Sequence, residues 1–215
     1  MPVNVGGYEI TKEMENYIGG LSDGFNGNSL DTSVWSTFGT QHGSITVSNG
    51  ECIINNSSGG NADKIGIYSN IQFPVGMSIS ARVKNTSGRH ASLIGFGESV
   101  WEPYPHAGTS VGCTWYSRAD NISSTIGSYY DENGNTPPDF PQATQNLTSY
   151  QVLSLYRVSE SQVDFYRNGI FELSRTGVKF QNKYSVYFSA DGWSNVNRSG
   201  MDNIIVIDWV IARYN

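Results

Sequence analysis

The feature that most constrains this chain is an apolar run near its C-terminus, Ile204-Ile-Val-Ile-Asp-Trp-Val-Ile-Ala-Arg213. A strand with this sequence is apolar on both faces, because successive side chains of a strand point to opposite sides. Such a strand belongs inside a sheet that is covered on both sides. A final strand in the middle of a sheet makes the chain close non-locally, which favours a jelly roll over a meander. The predicted faces hold Ile205, Ile207, Trp209 and Ile211 on one side and Ile204, Val206 and Val210 on the other.

From Leu21 onward, short apolar or alternating runs are separated by turn residues, and no long helical pattern interrupts them. Only 15% of the residues are charged and 24 are Gly, a composition typical of turn-rich β proteins. A β-sandwich of about 200 residues commonly forms one domain. We therefore predict an all-β, two-sheet antiparallel sandwich over residues 21–215. The predicted strands are Trp35–Phe38, Ser44–Val47, Glu51–Ile54, Lys64–Ile71, Met77–Val83, Ala91–Phe96, Ser110–Tyr116, Gln151–Val158, Gln162–Arg167, Ile170–Ser174, Tyr184–Ala190 and Ile204–Tyr214.

Two local signals refine this prediction. Asn168-Gly169 separates two strand-like runs, and Asn-Gly supplies the positive φ angles that a two-residue hairpin turn needs. We therefore expect a tight hairpin there. Trp35, Trp115 and Trp209 lie in strand-like contexts and are expected in the core.

Charge and composition exclude several classes of protein. The net charge of −6 offers no broad cationic surface to displace the counterions of a phosphate backbone, so nucleic acid is not an expected partner. No stretch approaches the roughly 20 apolar residues of a membrane helix, and residues 1–20 lack the features of a signal peptide. We expect neither membrane insertion nor signal-directed export. Cys52 and Cys113 are far apart and outside metal-ligand spacing, so two buried thiols are expected, with one disulfide as the alternative.

The first twenty residues differ from the rest of the chain. Ile10 to Ile18 places apolar residues at helical spacing, with a cap at or before Thr11, and Gly19-Gly20 ends the pattern. The sequence therefore predicts one short helix in an N-terminal arm, residues 1–20. Two roles stay open for this arm: docking onto another protein, or strapping across its own sandwich.

Three stretches carry a resemblance to a known superfamily. The opening Leu21-Ser-Asp-Gly-Phe-Asn-Gly-Asn-Ser-Leu-Asp-Thr-Ser-Val-Trp35, the hairpin within Tyr156–Gly169, and the closing run Asp202–Tyr214 resemble the concanavalin A-like lectin/glucanase superfamily, including its laminarin-G-like and laminarinase-like domains. The resemblance spans about Leu21 to Tyr214. It implies a jelly-roll sandwich and says little about activity.

Enzymes of this superfamily carry Glu-x-Asp-x-x-Glu on one strand, and its outer carboxylates act across the glycosidic bond. This chain has no such segment. Two looser carboxylate pairs remain, Glu160 with Asp164 and Glu98 with Glu102, and solvated acidic residues are the commoner explanation of both. No Gly-x-Ser-x-Gly motif accompanies the three histidines. We therefore predict that the protein is not an enzyme.

Aromatic residues beside polar ones mark three candidate glycan-binding clusters. Sugar C–H groups stack on aromatic faces, while Asn, Asp and Arg pair with the hydroxyls. The alternative is that these rings cover sheet edges or form subunit contacts. The predicted carbohydrate-binding residues are Trp101, Tyr104 and His106 in a Pro-containing loop, Tyr129 and Tyr130 before a second such loop, and Trp193 and Asn195 after a strand.

One segment has oxygen ligands at calcium-like spacing. Asp131, Asn133, Asn135 and Asp139 follow one another closely, but Gly134 and two prolines break the loop pattern that calcium sites use. An ordinary polar turn is the alternative. No cofactor is therefore required by the sequence, and no metal is assigned.

The combined pattern favours a binding or assembly protein. Our first hypothesis is a non-enzymatic virion structural protein, of the bacteriophage tail-fibre, receptor-binding or capsid-decoration type, assembled in the host cytoplasm. In it the arm contacts other structural subunits and the sandwich binds host-surface glycans. A homo-oligomer is expected, a trimer by analogy with fibre proteins. The alternatives are a cellular carbohydrate-binding module or lectin, and a glycoside hydrolase or lyase of the same fold.

Overall fold

A computed structural model of the chain describes residues 3–5, 8–10, 20–58, 63–86, 91–97, 112–117, 124–130, 143–144, 147–176, 184–191 and 202–214. A single 3₁₀ turn, Thr40–His42, accompanies the strands of this part. The strands are β1 (Val3–Val5), β2 (Tyr8–Ile10), β3 (Leu21–Asp23), β4 (Trp35–Phe38), β5 (Gly43–Ser48), β6 (Glu51–Asn56), β7 (Lys64–Phe73), β8 (Met77–Asn85), β9 (Ala91–Gly97), β10 (Gly112–Ser117), β11 (Ser124–Tyr130), β12 (Ala143–Thr144), β13 (Gln151–Ser159), β14 (Gln162–Arg167), β15 (Ile170–Thr176), β16 (Tyr184–Asp191) and β17 (Asn203–Tyr214).

Two antiparallel sheets form the body of the molecule. Sheet 1 has the order β15-β14-β13-β8-β17-β6-β5, with β3 added beside β17, and sheet 2 has the order β12-β11-β10-β9-β16-β7-β4. The non-sequential neighbours are those of a jelly roll, so the predicted all-β sandwich is confirmed. No helix within the described residues has the length and apolarity that crossing a membrane requires.

The C-terminal strand β17 lies in the middle of sheet 1, between β8 and β6. Its predicted division into faces is wrong beyond Ile207, because a β-bulge at Asp208 inserts one residue between the pairs Ile207–Val83 and Trp209–Arg82. The bulge inverts the alternation for the rest of the strand. The residues of β17 that enter the core are therefore Ile205, Ile207, Val210 and Ala212. Trp209 is buried but lies outside the core cluster, on the outer face of sheet 1.

Large aromatic side chains fill the core, and Trp115 joins sheet 2 to sheet 1. Trp35 of β4 meets Phe188 edge-on at 6.0 Å, and Trp115 of β10 meets Phe165 of β14 at 5.5 Å. Trp115 also donates through Nε1 to the Ser154 carbonyl at 3.0 Å. Trp35 and Trp115 therefore lie in the core as predicted.

The opening motif has a structural role. Asp23 on β3 accepts hydrogen bonds from Trp35 Nε1 and from the Phe25 amide, each at 2.7 Å. Phe25 stacks on Trp35 at 6.1 Å. Because β3 pairs with β17, these contacts tie the beginning of the sandwich to its last strand.

Both cysteines are buried free thiols, as predicted, Cys52 on β6 of sheet 1 and Cys113 on β10 of sheet 2. Burial, with a smaller effect from the Asp23 carboxylate, raises the pKa of Cys52 to about 12. Burial also raises the pKa of Cys113. Both groups are therefore protonated and unreactive near neutral pH.

The beginning of the N-terminal arm forms two short paired strands. Strands β1 and β2 pair antiparallel, with Val3 opposite Ile10. The helix predicted after a cap at or before Thr11 falls on residues 11–19, which lie outside the described residues. Strands β1, β2, β3, β11 and β12 were not predicted from the sequence, and they are short or rich in Ser, Gly and Asn.

Candidate functional site

The outer face of sheet 2 is the candidate site. Strand alternation turns one set of side chains away from the core, and on the inner strands of the sheet these are small or aromatic. None of them belongs to the core cluster. We define the outer face of sheet 2 by Phe38, Gly66, Tyr68, Gly95, Thr114, Tyr187 and Ser189.

Two glycines let aromatic rings lie directly against this sheet. A Cβ at Gly95 would stand 2.6 Å from Cζ of Tyr187, and a Cβ at Gly66 would stand 2.5 Å from Cζ of Phe38. Both distances are far below van der Waals contact, so only glycine fits. The Phe38 ring also approaches Tyr68, with centroids 6.5 Å apart. The face therefore combines aromatic rings with a glycine floor.

The polar groups of this face are held by the protein itself. Thr114 is buried and donates through Oγ1 to the Ile94 carbonyl at 2.9 Å. Ser189 and Tyr187 are buried and have partners as well. The Thr114 hydroxyl thus serves the structure of the sheet, and Thr114, Tyr187 and Ser189 are all shielded from solvent.

The strands of sheet 2 carry little charge. Their sequences contain no glutamate, and their charged residues are Lys64 on β7 and Asp191 on β16. These two lie opposite each other at the end of the strand pair. Hydrolysis of a glycosidic bond uses two carboxylates about 5–10 Å apart, and the strands of this sheet provide no such pair.

Of the two carboxylate pairs considered from the sequence, the pair of Glu160 and Asp164 lies away from sheet 2. Glu160 lies exposed in the turn between β13 and β14, and Asp164 lies on β14 of sheet 1. Asp164 Oδ1 accepts hydrogen bonds from Gln162 Nε2 at 3.0 Å and from Ser174 Oγ at 2.6 Å. Glu98 and Glu102 lie outside the described residues.

Of the predicted glycan-binding residues, the structure positions the backbones of Tyr129 and Tyr130, near the end of β11. Tyr129 pairs in register with Cys113, and Tyr130 pairs with Gly112. The remaining predicted binding and calcium residues lie outside the described residues: Trp101, Tyr104, His106, Trp193 and Asn195, and Asp131, Asn133, Asn135 and Asp139.

Strand register shows which described strands end together in sheet 2. Gly97, Gly112 and Tyr130 are register neighbours, so β9 and β11 end where β10 begins. Gly97 also pairs with Ser185 at the start of β16, whereas Asp191 ends β16 at the opposite end of the sheet. The backbones of Tyr129 and Tyr130 therefore lie at the end of sheet 2 away from Asp191.

A second polar cluster, on the outer face of sheet 1, was not found from the sequence. Tyr150 donates its hydroxyl to Glu51, and its ring lies 4.2 Å from Arg82 Cζ and 4.1 Å from Lys84 Nζ. Arg82 pairs with Asp208, and Lys84 Nζ lies 3.9 Å from Glu51 Oε1. We call these five residues the Tyr150 cluster. The charges of this cluster are paired with each other, which indicates a structural role. Its residues come from separate segments of the chain, and no sequence pattern indicates that these segments meet.

A third polar contact joins His42 to the loop before β7. His42 Nδ1 lies 3.4 Å from Asp63 Oδ2, and Ser58 donates to the same carboxylate. His42 Nε2 lies 2.9 Å from Gln41 Nε2 rather than beside a serine hydroxyl, so this is not the order of a nucleophilic triad. Within the described part of the chain no three His, Cys, Asp or Glu side chains come together as metal ligands do.

No protein-family model and no curated protein matches the sequence. Solved structures of similar shape do exist. A prokaryotic β-1,3-1,4-glucanase (lichenase) from a mouse hindgut metagenome aligns over 91% of this chain and 99% of its own, with a TM-score of 0.69 and 8% identity. An endo-β-1,3-glucanase from Pyrococcus furiosus aligns over 100% and 98%, with a TM-score of 0.67 and 12% identity.

A third similar structure is described as an immunostimulatory antigen and pseudo β-1,3-glucanase of Mycobacterium tuberculosis. It aligns over 91% of this chain and 98% of its own, with a TM-score of 0.64 and 13% identity. At such identities the similarity establishes the concanavalin A-like jelly-roll fold and leaves activity open.

Proposed function

We propose that this chain is a non-catalytic, glycan-binding sandwich domain that serves as a structural protein of a virion. The observation that supports the binding role is the jelly-roll fold, which this chain shares with the glucanases to which it is similar. Phe38 and Tyr187 on the outer face of sheet 2 are only 9% and 8% exposed, so in this proposal the aromatic residues predicted from the sequence, rather than these two rings, stack on the C–H faces of sugars.

The absence of a Glu-x-Asp-x-x-Glu segment supports binding over catalysis. A retaining or inverting glycosidase needs one carboxyl group as acid and another as base or nucleophile. One of the similar structures is described as a pseudo β-1,3-glucanase. We propose that this chain, too, has a glucanase-like fold but does not hydrolyse glycans.

The virion role rests on the division of the chain into an arm, residues 1–20, and a sandwich. Loops of a sandwich can vary without disturbing its core, so the domain suits recognition at a particle surface. In this proposal the arm contacts other structural subunits and the sandwich projects toward the host. A cellular lectin or carbohydrate-binding module is the alternative, and a purified monomer that binds glycans without any particle would favour it.

A glycan array probed with the full chain tests the binding role. Because Trp101 and Trp193 belong to different predicted clusters, Trp101→Ala and Trp193→Ala test the two clusters separately. We expect at least one variant to lose binding by roughly tenfold, the effect of removing one stacking ring. Tyr156→Ala, on sheet 1, is the matched aromatic control and should bind as the wild type does. Unchanged signals in both Trp variants would exclude the proposed stacking sites.

The fold similarity to glucanases favours one competing function, that of a glycoside hydrolase. Incubation with β-glucans followed by measurement of new reducing ends tests it directly. Product release that disappears in Glu102→Gln or Glu160→Gln would replace the binding proposal with an enzymatic one. We expect no release from the wild-type protein.

A further inference from the structure

Two Asn-Gly pairs of this chain form tight hairpin turns. Asn49-Gly50 joins β5 to β6, and Asn168-Gly169 joins β14 to β15. In both pairs the two residues have positive φ angles, 54° and 79° at the first turn and 50° and 78° at the second. Both asparagines are exposed to solvent. The two turns therefore share the same residues, a similar backbone conformation and access to water.

An asparagine that precedes a glycine can react with its own backbone. The backbone nitrogen of the glycine attacks the side-chain carbonyl carbon, Cγ, and gives up its proton to water. A bond from this nitrogen to Cγ forms, the bond from Cγ to the side-chain nitrogen breaks, and ammonia leaves. Water then opens the resulting five-membered succinimide ring at either carbonyl, which gives aspartate or isoaspartate. Glycine leaves the attacking nitrogen uncrowded, because it has no Cβ.

The side chain of Asn168 is held away from this reaction. Its Oδ1 accepts the Val152 amide at 2.9 Å, and its Nδ2 donates to Gln151 Oε1 at 2.7 Å. The Asn168 backbone amide also donates to the Val152 carbonyl at 2.7 Å. Ring closure turns the side chain toward the Gly169 nitrogen and breaks both of its hydrogen bonds, each of which slows the reaction by roughly fivefold.

The side chain of Asn49 lacks this restraint. Within the part of the chain that the structure describes, it makes no hydrogen bond. The space around the following glycine is also open, because a Cβ at Gly50 would meet its nearest atom outside the turn, the Gly24 carbonyl oxygen, at 3.8 Å. The Asn49 side chain is therefore able to turn toward the Gly50 nitrogen without losing a contact.

We propose that Asn49 is a site of spontaneous deamidation in the folded protein, whereas the matched Asn168 is protected. The aspartate product adds a negative charge two residues before Glu51, the carboxylate that accepts the Tyr150 hydroxyl. The isoaspartate product adds one carbon to the main chain between the paired residues Ser48 and Glu51. Both products weaken the β5–β6 hairpin, and the change is one-way. This modification does not depend on the proposed glycan binding.

Peptide mapping by mass spectrometry tests the proposal on the full chain. The folded protein is incubated at mildly alkaline pH and sampled over time, and the conversion of each asparagine to aspartate or isoaspartate is measured. We expect Asn49 to react roughly 25-fold faster than Asn168, because two hydrogen bonds restrain the second side chain. In urea the two sites should react at similar rates, since unfolding removes the restraint. Equal rates in the folded protein, or the same difference in the unfolded one, would overturn the proposal.

A single substitution that releases Asn168 supplies an independent test. Gln151→Ala removes the acceptor of the Asn168 Nδ2 and leaves the β5–β6 turn unchanged. We expect the conversion of Asn168 to rise by roughly fivefold and that of Asn49 to stay at the wild-type rate. Gln162→Ala is the matched control, because that amide bonds to Asp164 instead, and it should alter neither rate. An Asn168 that reacts as slowly in Gln151→Ala as in the wild type would contradict the proposed protection.

Discussion

Tyr150 joins strands that are far apart in the sequence. Its hydroxyl reaches Glu51 on β6, and its ring lies between Arg82 and Lys84 of β8. Cations close to an aromatic ring are attracted to it, and each such contact contributes on the order of 0.5–1 kcal/mol at a partly exposed site. The ring thus holds the segment that leads into β13 against the centre of sheet 1.

Replacing this tyrosine by phenylalanine isolates the hydroxyl. Tyr150→Phe keeps the ring and its cations but removes the hydrogen bond to Glu51, so we expect the free energy of unfolding to fall by about 1 kcal/mol. Urea denaturation near pH 7 measures the difference. Tyr156→Phe is the matched control, and a loss as large in that variant would argue against a special role for the Tyr150 hydroxyl.

The hydrogen bond between Tyr150 and Glu51 predicts that the free energy of unfolding depends on pH. Burial, followed by the hydrogen bond to and the charge of Glu51, raises the pKa of Tyr150 above its ordinary value of 10.0. The unfolded chain therefore releases this proton at lower pH than the folded chain does. The stability that Tyr150 contributes is complete below pH 10.0 and falls as the pH rises above it. The difference between wild type and Tyr150→Phe should shrink in that range, and a difference that grows instead would contradict this ionisation.

Substitution of Gly95 tests how the Tyr187 ring packs on the outer face of sheet 2. In Gly95→Ala the new methyl group overlaps the Tyr187 ring, and forcing such an overlap typically costs about 1–3 kcal/mol. The cost should be smaller in a Tyr187→Ala background, where the ring is gone. A double-mutant cycle measured by chemical denaturation gives this coupling. Equal costs in both backgrounds would mean that the glycine is required for another reason.

Single residues were the least predictable part of the molecule. Cys52 and Cys113 were expected to be buried because cysteine is usually buried and no metal-ligand spacing surrounds them. The Tyr150 cluster and the ring over Gly95 depend on partners from other strands, and a sequence without its fold gives no distance between such partners. The type of residue was therefore enough to predict that the two cysteines are buried. The contacts of Tyr150 and Gly95 depend on how distant strands pair, which the sequence alone does not show.

At the level of elements, the Asn168-Gly169 hairpin was predictable because its signal is entirely local. Gly169 has a φ of 78°, a conformation that costs a residue with a Cβ about 1–2 kcal/mol. We expect Gly169→Ala to lower the free energy of unfolding by that amount. Gly27→Ala is the control, since that loop glycine lacks a positive φ and its added Cβ meets its nearest atom at 3.4 Å. Equal losses in the two variants would contradict this account of the turn.

Strand β17 shows that an apolar pattern can predict the position of a strand in its sheet but not which of its side chains enter the core. Its central position followed from an apolar pattern that no edge strand could expose, and the structure confirms it. The bulge at Asp208 could not be foreseen, since it arises from pairing with β8 and not from the run itself. One extra residue moves Val210 into the core and Trp209 out of it. Strands β11 and β12 were missed for a different reason: β11 contains Ser and a central Gly, which is depleted in strands, and β12 is only two residues long.

For the whole molecule, the jelly roll brings the ends of the sandwich together. Strand β3 pairs with β17, and Asp23 of β3 holds Trp35, so the fold closes at Leu21. The candidate site was less predictable than the fold, because its floor consists of glycines and rings from four strands that only the topology brings side by side. Of the aromatic residues chosen from the sequence, Tyr129 and Tyr130 lie on β11, and the others lie outside the described residues.

Removing residues 1–20 tests the division of the molecule into arm and sandwich. The truncated chain keeps buried Leu21 and the pairing of β3 with β17, so we expect its free energy of unfolding to stay within about 0.5 kcal/mol of the full chain. Incorporation into particles should be lost, because the docking arm is gone. A strap would behave differently: Trp209 lies buried on the outer face of sheet 1, and uncovering it would shift tryptophan fluorescence to longer wavelength and lower stability. Such a shift, or continued incorporation of the truncated chain, would exclude the docking role.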